Sequence, residues 1–434
     1  MKGNVYRLFL VGIIVLSSGV GASERWQMPF DTSTARTQPA ADSVYRLADV
    51  IRLVALQNPT LQALEHRREA ARGLLRQAGL WSNPELGLET EEVGWDAPGF
   101  SESELSVSLS QEFEFFGQRG ARKNLARTQI DNAHLQARVA AFDLYLETKA
   151  RFYALVHAQQ QLELTRRSVE LAEQIVNNIK FRIEKGAALQ SEFLLADLEN
   201  QRAQLALEQV HQEVASATAV LTALWGGSTA SVAVSANIEP DFQDALDIVT
   251  SLQSQLDSTR SLLQLGQEAG ILRAEASVAA AEARPPISIS GGFKRLEGTN
   301  SNSFLFGISL PLPLFNRSQG TRERLDAEMR ALEQTTKQAR VETEADLQAQ
   351  VFRFRQLVQR HDRLDSLLLP TAENAYSTLQ DAYEAGRVPY THLLEAERSL
   401  NELRFEHNDM LLQIHAQIIA IERVTGITIR IDEE

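Results

Sequence analysis

The side chains that most often carry out catalysis are scattered along this 434-residue sequence. Its eight histidines form no H-E-x-x-H motif or His/Cys cluster, and it contains neither a phosphate-binding glycine loop nor a G-x-S-x-G motif. The absence of cysteine also excludes disulfides and thiolate metal sites. The sequence therefore predicts a protein that is not an enzyme and that has no cofactor and no dedicated metal site.

Basic side chains form two clusters, and each cluster lies where a long helix is predicted to begin. The helix dipole disfavours cations in the first turns of a helix, so these side chains are expected to have partners. Phosphate groups of lipids and acidic residues of a neighbouring chain both fit this requirement, and simple solvation is an alternative. The clusters comprise Arg119, Arg122 and Lys123, and Arg317, Arg322 and Arg324.

The N-terminal residues have the three parts of a secretory signal. Lys2 and Arg7 precede a short apolar run, and small residues lead to a cleavage site after Ala22. We therefore expect residues 1–22 to be a signal peptide and residues 23–46 to be an extended N-terminal segment. No later stretch approaches the ~20 apolar residues of a spanning helix. The formal charge of −14 makes nucleic acid an unsuitable partner.

An internal repeat with a spacing of 200 residues divides the chain. The segment EKGAALQSEFLLAD at 184–197 aligns without a gap with EAGRVPYTHLLEAE at 384–397, and the same offset pairs Gly226 with Gly426. The chain is therefore predicted to contain two copies of one unit. The copies span residues 47–226 and 244–426, with a connector at 227–243 and a C-terminal tail at 427–434.

Each copy is predicted to contain a leading helix, a pair of strands and a long helical hairpin. The assignments follow helical periodicity that ends before a proline, then alternation of apolar and polar residues, then a glycine-closed hairpin. Asn58-Pro59 is expected to interrupt the first leading helix. The first copy has helix 47–80, strand pair 84–115 (84–93 and 103–115) and hairpin 119–225; the second has helix 244–283, strand pair 286–315 (286–296 and 303–315) and hairpin 318–425.

The long helices carry the seven-residue repeat of a coiled coil. Such a repeat requires a partner helix, and an antiparallel partner follows if the chain turns back at Gly186. His407 lies in the corresponding apolar stripe of the second copy, and we interpret it as a core or interface histidine. The repeat positions in the first long helix are Leu155, Leu162, Val169, Val176 and Ile183.

Apolar and polar residues alternate along the predicted strands, as in strands that cross a membrane. Leu105, Val107 and Leu109 alternate with serines and a glutamate, and the strands reach the about 9–11 residues of a membrane-crossing strand. Four strands cannot close a barrel, and lipid does not tolerate open edges. Three chains would supply 12 strands around a polar lumen. The predicted fold class is mainly α with membrane β: long antiparallel coiled-coil hairpins in a duplicated unit, with four strands per chain forming a 12-stranded trimeric β-barrel continuous with an α-helical tunnel.

From about residue 45 to 426 the sequence resembles the TolC-like outer-membrane factors of tripartite efflux systems, and it is most similar to the branch that serves cobalt-zinc-cadmium exporters. The resemblance implies a homotrimer in the outer membrane of a Gram-negative cell, with its helical tunnel in the periplasm. It also implies a periplasmic adaptor and an inner-membrane pump of the resistance-nodulation-division type as partners. The motifs are ALQNPTLQ (55–62), FFGQRGARKNLA (115–126), PLPLFNRSQG (311–320) and LLPTAENAYSTLQDAYEAGRVPYTHLLEAERSL (368–400).

The resemblance also implies a gate at the hairpin tips, where acidic residues follow each glycine turn. The matching gate residues are Glu192, His392 and Glu395, and His392 departs from the usual acid. The hairpin turns expected to contact the adaptor contain Gly186, Ala187, Gly386 and Arg387. The alternative for the gate residues is that they are solvated polar groups near the end of a hairpin.

Two other functions fit parts of the sequence. One is a multidrug or other small-molecule duct of the same family, because cargo is set by the pump. The other is a soluble periplasmic coiled-coil adaptor, which would also have a signal peptide, a helical hairpin and some strands. The duplication argues against the adaptor, which needs only one hairpin.

Overall fold

The computed structural model describes residues 44–91, 103–227, 232–235, 242–252 and 259–429. The predicted signal peptide, most of the segment 23–46, parts of the connector 227–243 and the end of the tail lie outside these residues. The helices are α1 (Leu47–Gln57), α2 (Pro59–Ala78), α3 (Gln118–Glu184), α4 (Gln190–Thr222), α5 (Phe242–Leu252), α6 (Arg260–Glu282), α7 (Gln319–Arg363), α8 (Leu369–Glu384) and α9 (Tyr390–Thr425). The strands are β1 (Glu85–Glu91), β2 (Glu104–Phe113), β3 (Ile287–Leu296) and β4 (Ser301–Ser309). The predicted mainly helical fold with four strands is confirmed.

The four strands form one antiparallel sheet in the order β1-β2-β3-β4. In its register Leu88 pairs with Val107, Val107 with Phe293, and Phe293 with Phe304. These apolar side chains are exposed, whereas Ser106 next to Val107 is buried. A sheet that packs on a soluble core has the opposite polarity, so the apolar face of this sheet has no cover within the described part of the chain.

The last strand is shorter than the alternation predicts. A strand was expected to continue to residue 315, but β4 ends at Ser309. Pro311 and Pro313 have no backbone N–H to donate to a neighbouring strand, so the alternating apolar residues continue without sheet hydrogen bonds, and the Leu314 N–H instead donates to the Leu312 carbonyl at 2.8 Å. The prediction is wrong beyond Ser309.

The leading helices are both interrupted. At the first break, Asn58 accepts a hydrogen bond from the backbone N–H of Thr60 (2.8 Å) and donates one to the carbonyl of Leu224 (2.7 Å). The second leading helix was expected to be continuous from 244 to 283, which is wrong, because α5 ends at Leu252 and Thr259 is extended (φ −67°, ψ 148°). Thr259 occupies the N-cap position of α6, but its hydroxyl makes no capping hydrogen bond.

The two long hairpins differ in one helix. In the first copy α3 is continuous over 67 residues, a length of ~100 Å. The helix expected at 318–385 is instead divided by a π-helical turn at Leu364–Leu368. Pro370 follows this turn and cannot donate a helical hydrogen bond, whereas the first copy has Glu170 at the corresponding position. This proline is a signal that the periodicity argument overlooked.

The main hydrophobic core lies where α1, α5 and the ends of α4 and α9 pack against α3 and α7. It contains a buried ion pair, in which Lys149 Nζ of α3 lies 2.9 Å from both carboxylate oxygens of Glu422 of α9. The backbone N–H of Ile429 donates to the same carboxylate at 2.7 Å.

His407 is half-buried and its ring stacks on that of His361 at 5.1 Å, in agreement with a packing role. None of the described helices combines the length and the apolar character needed to cross a membrane.

Candidate functional site: the hairpin tips and the strand-helix junction

The two hairpin turns have the same backbone conformation. Gly186 and Gly386 adopt left-handed φ angles of +71° and +70°. In the first turn Ala187 N–H donates to the Arg182 carbonyl at 2.8 Å, and in the second Arg387 N–H donates to the Ala382 carbonyl at 2.8 Å. This is the Schellman ending of a helix, in which glycine avoids the steric cost of a positive φ. All four predicted turn residues, Gly186, Ala187, Gly386 and Arg387, are exposed.

The two tips share one hydrophobic core. Ile179 of α3, Tyr383 of α8 and Tyr390 of α9 belong to a single cluster of buried side chains at the tips. Arg182 links the hairpins directly, because its Nη1 donates to the carbonyl of Tyr383 at 3.0 Å and its guanidinium lies 4.4 Å from the centre of the Tyr383 ring. Sequence reasoning missed Arg182, although an arginine one turn before a helix-ending glycine is a recognisable signal.

The predicted gate residues are placed around this shared core. Glu192 is half-buried in the first turn of α4, while His392 and Glu395 are exposed on α9. Burial raises the pKa of Tyr383, and the negative charge of Glu192 raises it further while Arg182 opposes the effect. Among the described residues, no hydrogen bond or ion pair joins Glu192 to His392.

The most perturbed acid at the tips is one that the sequence analysis did not select. Glu397 of α9 is 8% exposed. Its pKa is raised to about 7, first by burial and then by the nearby carboxylate of Glu199, with Arg398 acting in the opposite direction. Glu199 itself forms ion pairs with Arg398 and with Arg202. A signal existed in the sequence, because Glu397 lies in the stripe between Leu394 and Leu400, where an apolar residue is expected.

Two tyrosines face the same carboxyl group. The pKa of Tyr376 in α8 is raised to about 12, first by burial and then by Glu397. Burial followed by the same acid also raises the pKa of Tyr390. Half-buried Tyr376 and buried Tyr390 therefore lie near the buried carboxyl group of Glu397 in the second hairpin, which is also close to Glu199 of the first.

The predicted basic clusters at the start of α3 and α7 are only partly paired within the chain. Arg122 makes a two-pronged ion pair with Glu114 at 2.7 and 2.9 Å, so its acidic partner comes from its own chain. The guanidinium of Arg119 lies over the ring of Trp81, 4.9 Å from its centre. The other pairings are Arg324 with Glu328 at 2.6 Å and Arg317 Nε with the Pro313 carbonyl at 3.0 Å. In the part of the chain that the structure describes, no ion pair involves Lys123 or Arg322.

Together, an uncovered apolar sheet and long hairpins with paired tips define a protein of the outer-membrane channel class. The chain belongs to the family described as Outer membrane efflux protein, whose sequence profile matches residues 50–227 and 251–427. The two matched segments coincide closely with the two copies of the internal repeat. The family resemblance that the motifs indicated is confirmed.

Individual relatives agree with this assignment. The chain is 26% identical to the cobalt-zinc-cadmium resistance protein CzcC of Cupriavidus metallidurans, over 88% of this chain and 90% of that protein. It is 24% identical to the nickel-cobalt-cadmium resistance protein NccC of Alcaligenes xylosoxydans, over 66% and 63% of the two chains. In fold it is similar to the outer membrane protein VceC of Vibrio cholerae, with a TM-score of 0.69 and 17% identity over 88% of this chain and 97% of VceC.

Proposed function

We propose that three copies of this chain form the outer-membrane channel of a tripartite efflux system, and that the channel passively conducts heavy-metal cations out of a Gram-negative cell. The observation that carries the channel is the sheet, whose apolar side chains are exposed while Ser106 on the opposite face is buried. The similarity to CzcC over most of both chains supports metal cations as cargo.

Assembly follows from the edges of the sheet. Within the described residues, β1 and β4 each pair on one side only, so one edge of each strand has unpaired backbone groups there. In lipid every backbone N–H and C=O needs a partner, and β1 of one chain paired with β4 of the next satisfies both edges. Three copies give 12 strands, which is wide enough for a polar lumen.

The polar face of the sheet would line this lumen. Lys294 lies there between two carboxylates, at 2.9 Å from Glu91 and in contact with Glu104. Glu89 is a further acid of β1 on this side of the strand. An excess of carboxylates raises the local concentration of cations, although it does not select one metal over another.

The hairpin tips are proposed to form the periplasmic gate and to meet a periplasmic adaptor, which connects the channel to an inner-membrane pump of the resistance-nodulation-division type. The exposed turns at Gly186 and Gly386 supply the docking surface. Glu192, His392 and Glu395 would approach their counterparts near the three-fold axis. Lys123 and Arg322 would face lipid phosphates at the inner rim of the membrane.

Deletion of the gene and complementation test the cargo. We expect the deletion strain to become sensitive to zinc, cobalt or cadmium, and the wild-type chain to restore resistance. Sensitivity to drugs with no change toward these metals would instead support the multidrug duct.

Membrane fractionation tests the channel itself, because recovery of the mature protein from the soluble periplasm without detergent would favour the adaptor. Light scattering in detergent should give a trimer, and a stable monomer with full strand content would contradict the assembly.

A further inference from the structure

The segment that follows β4 presents apolar side chains to solvent. Residues 310–315, here called the exit segment, contain Leu310, Leu312 and Leu314 in an alternating pattern with two prolines. Leu312 and Leu314 are exposed and Phe315 is 90% exposed. Pro311 and Pro313 have no N–H that needs a partner, and the Leu314 N–H already donates to the Leu312 carbonyl at 2.8 Å, so the exit segment requires fewer backbone partners from a surface that covers it.

A groove with matching chemistry lies at the other edge of the sheet. It is an open groove of about 510 Å³ between the end of α2, the residues that lead into β1 and the second turn of α3. Arg122 and Glu114 are part of its lining and form an ion pair, so their charges compensate each other. We call it the Trp81 groove; its apolar lining is Leu74, Ala78, Leu80, Trp81, Leu125 and Ala126.

The exit segment and the Trp81 groove lie at the same height but at opposite edges of the sheet. β1 starts at the helical end of the sheet, and β4 returns to that end, since all neighbouring strands are antiparallel. Four strands spaced by about 4.8 Å place β1 and β4 about 14 Å apart within one chain. The exit segment therefore approaches a Trp81 groove most directly when β4 pairs with β1 of another copy.

We propose that the exit segment of one protomer occupies the Trp81 groove of the next protomer and locks the junction between sheet and helices. The proposal rests on the trimer proposed above and adds a specific contact to it. The occupant is a second copy because the groove includes residues 80–82, which lead into the edge strand β1, while the exit segment follows the other edge strand, β4. The charged side chains of the groove lining, Arg122 and Glu114, neutralise each other, while Arg119 lies over the Trp81 ring beside the groove. A lipid chain is the competing occupant.

Disulfide and maleimide cross-linking test the contact directly, because the chain has no cysteine of its own. In outer membranes, Trp81→Cys is combined with Leu312→Cys, Leu314→Cys or Phe315→Cys and treated with an oxidant or a short bismaleimide. At least one pair should give covalent dimers and trimers on a denaturing gel. Leu80→Cys replaces Trp81→Cys in a second series, so that the tryptophan is retained. Trp81→Cys with Val341→Cys is the matched negative control, since Val341 is equally exposed but lies far along α7.

A second set of pairs separates this contact from trimer formation. One cysteine is placed in β1 at Leu86 or Leu88 and the other in β4 at Phe306 or Ile308. If these pairs cross-link and the groove pairs do not, the proposed lock is wrong while the trimer stands. If neither set links, the trimer itself is wrong. A photoreactive residue at position 80 distinguishes the occupants: adducts with a second chain support the proposal, and adducts with phospholipid overturn it.

Discussion

The buried carboxyl group of Glu397 should make the stability of the hairpin tips depend on pH. Glu397 is 8% exposed, and its pKa rises from 4.5 to about 7 when the tips are folded. A carboxyl whose pKa is raised by folding favours the folded state when protonated. The contribution of Glu397 to the stability of the folded tips is therefore most favourable below about pH 4.5. It is lost as the pH rises to about 7, and stability no longer changes through this group above that value.

The magnitude follows from the pKa difference. Between 4.5 and about 7 each pKa unit corresponds to ~1.36 kcal/mol, so ionising Glu397 in its buried site costs up to ~3 kcal/mol. The substitution Glu397→Gln keeps the shape of the side chain and removes the charge. The variant should be more stable than the wild type by up to ~3 kcal/mol at pH 8 and by only ~1 kcal/mol at pH 5.5.

Hydrogen exchange of the purified protein in detergent measures this effect locally. A gain of ~3 kcal/mol at pH 8 corresponds to roughly a hundredfold slower exchange, after correction for the intrinsic rate, in peptides that contain Tyr376, Tyr390 or position 397. Glu402→Gln is the control, because Glu402 is an exposed acid on the same helix. Equal protection of wild type and Glu397→Gln at pH 8 would refute the reasoning, as would an equal gain in the control.

Three further substitutions test other parts of the molecule. Lys149→Met leaves Glu422 as an unpaired buried charge and should lower stability by about 3–5 kcal/mol, measured by thermal dissociation. The double variant Lys149→Met with Glu422→Leu should recover most of this loss. A single variant as stable as the wild type would contradict the buried pair. Gly386→Ala should lower the stability of the second tip by about 1–2 kcal/mol, because alanine disfavours a positive φ. An added Cβ would meet no atom within 4 Å, so no steric clash adds to this cost. Hydrogen exchange no faster than in the wild type would argue against the predicted loss. His392→Ala should raise single-channel conductance in planar bilayers if His392 narrows the gate, while an unchanged conductance would remove His392 from the gate.

Local chemistry explains which parts of the fold were predictable. The alternation of the strands and the glycine turns depend on neighbouring residues in the sequence. Gly186 and Gly386 occupy equivalent positions of the internal repeat, and they have nearly the same φ angles, +71° and +70°. The errors also have local causes. Pro311 and Pro313 end β4 early, and Pro370 accompanies the π-helical turn, so attention to proline within a favourable pattern would have corrected both.

The candidate site was less predictable because it depends on contacts between distant segments. Arg182 reaches the carbonyl of Tyr383, a residue about 200 positions away, and no local pattern specifies that pairing. Likewise, the pKa of Glu397 depends on Glu199 of the other hairpin. The sequence identified polar residues that follow each turn, whereas the most perturbed acid at the tips is Glu397, which is buried two residues beyond Glu395 on α9.

Glu397 and the proposed gate residue His392 both lie on α9 of the second hairpin. Protonated Glu397 avoids an ionised group in the tip core, so acid should favour packed tips through this residue. The two residues differ in burial: His392 is exposed, whereas Glu397 is buried and acts through the packing shared by Tyr376 and Tyr390. Salt should weaken the interaction with Glu192 that the gate proposal assigns to His392 and leave the contribution of Glu397 almost unchanged, because screening acts mainly on exposed charges.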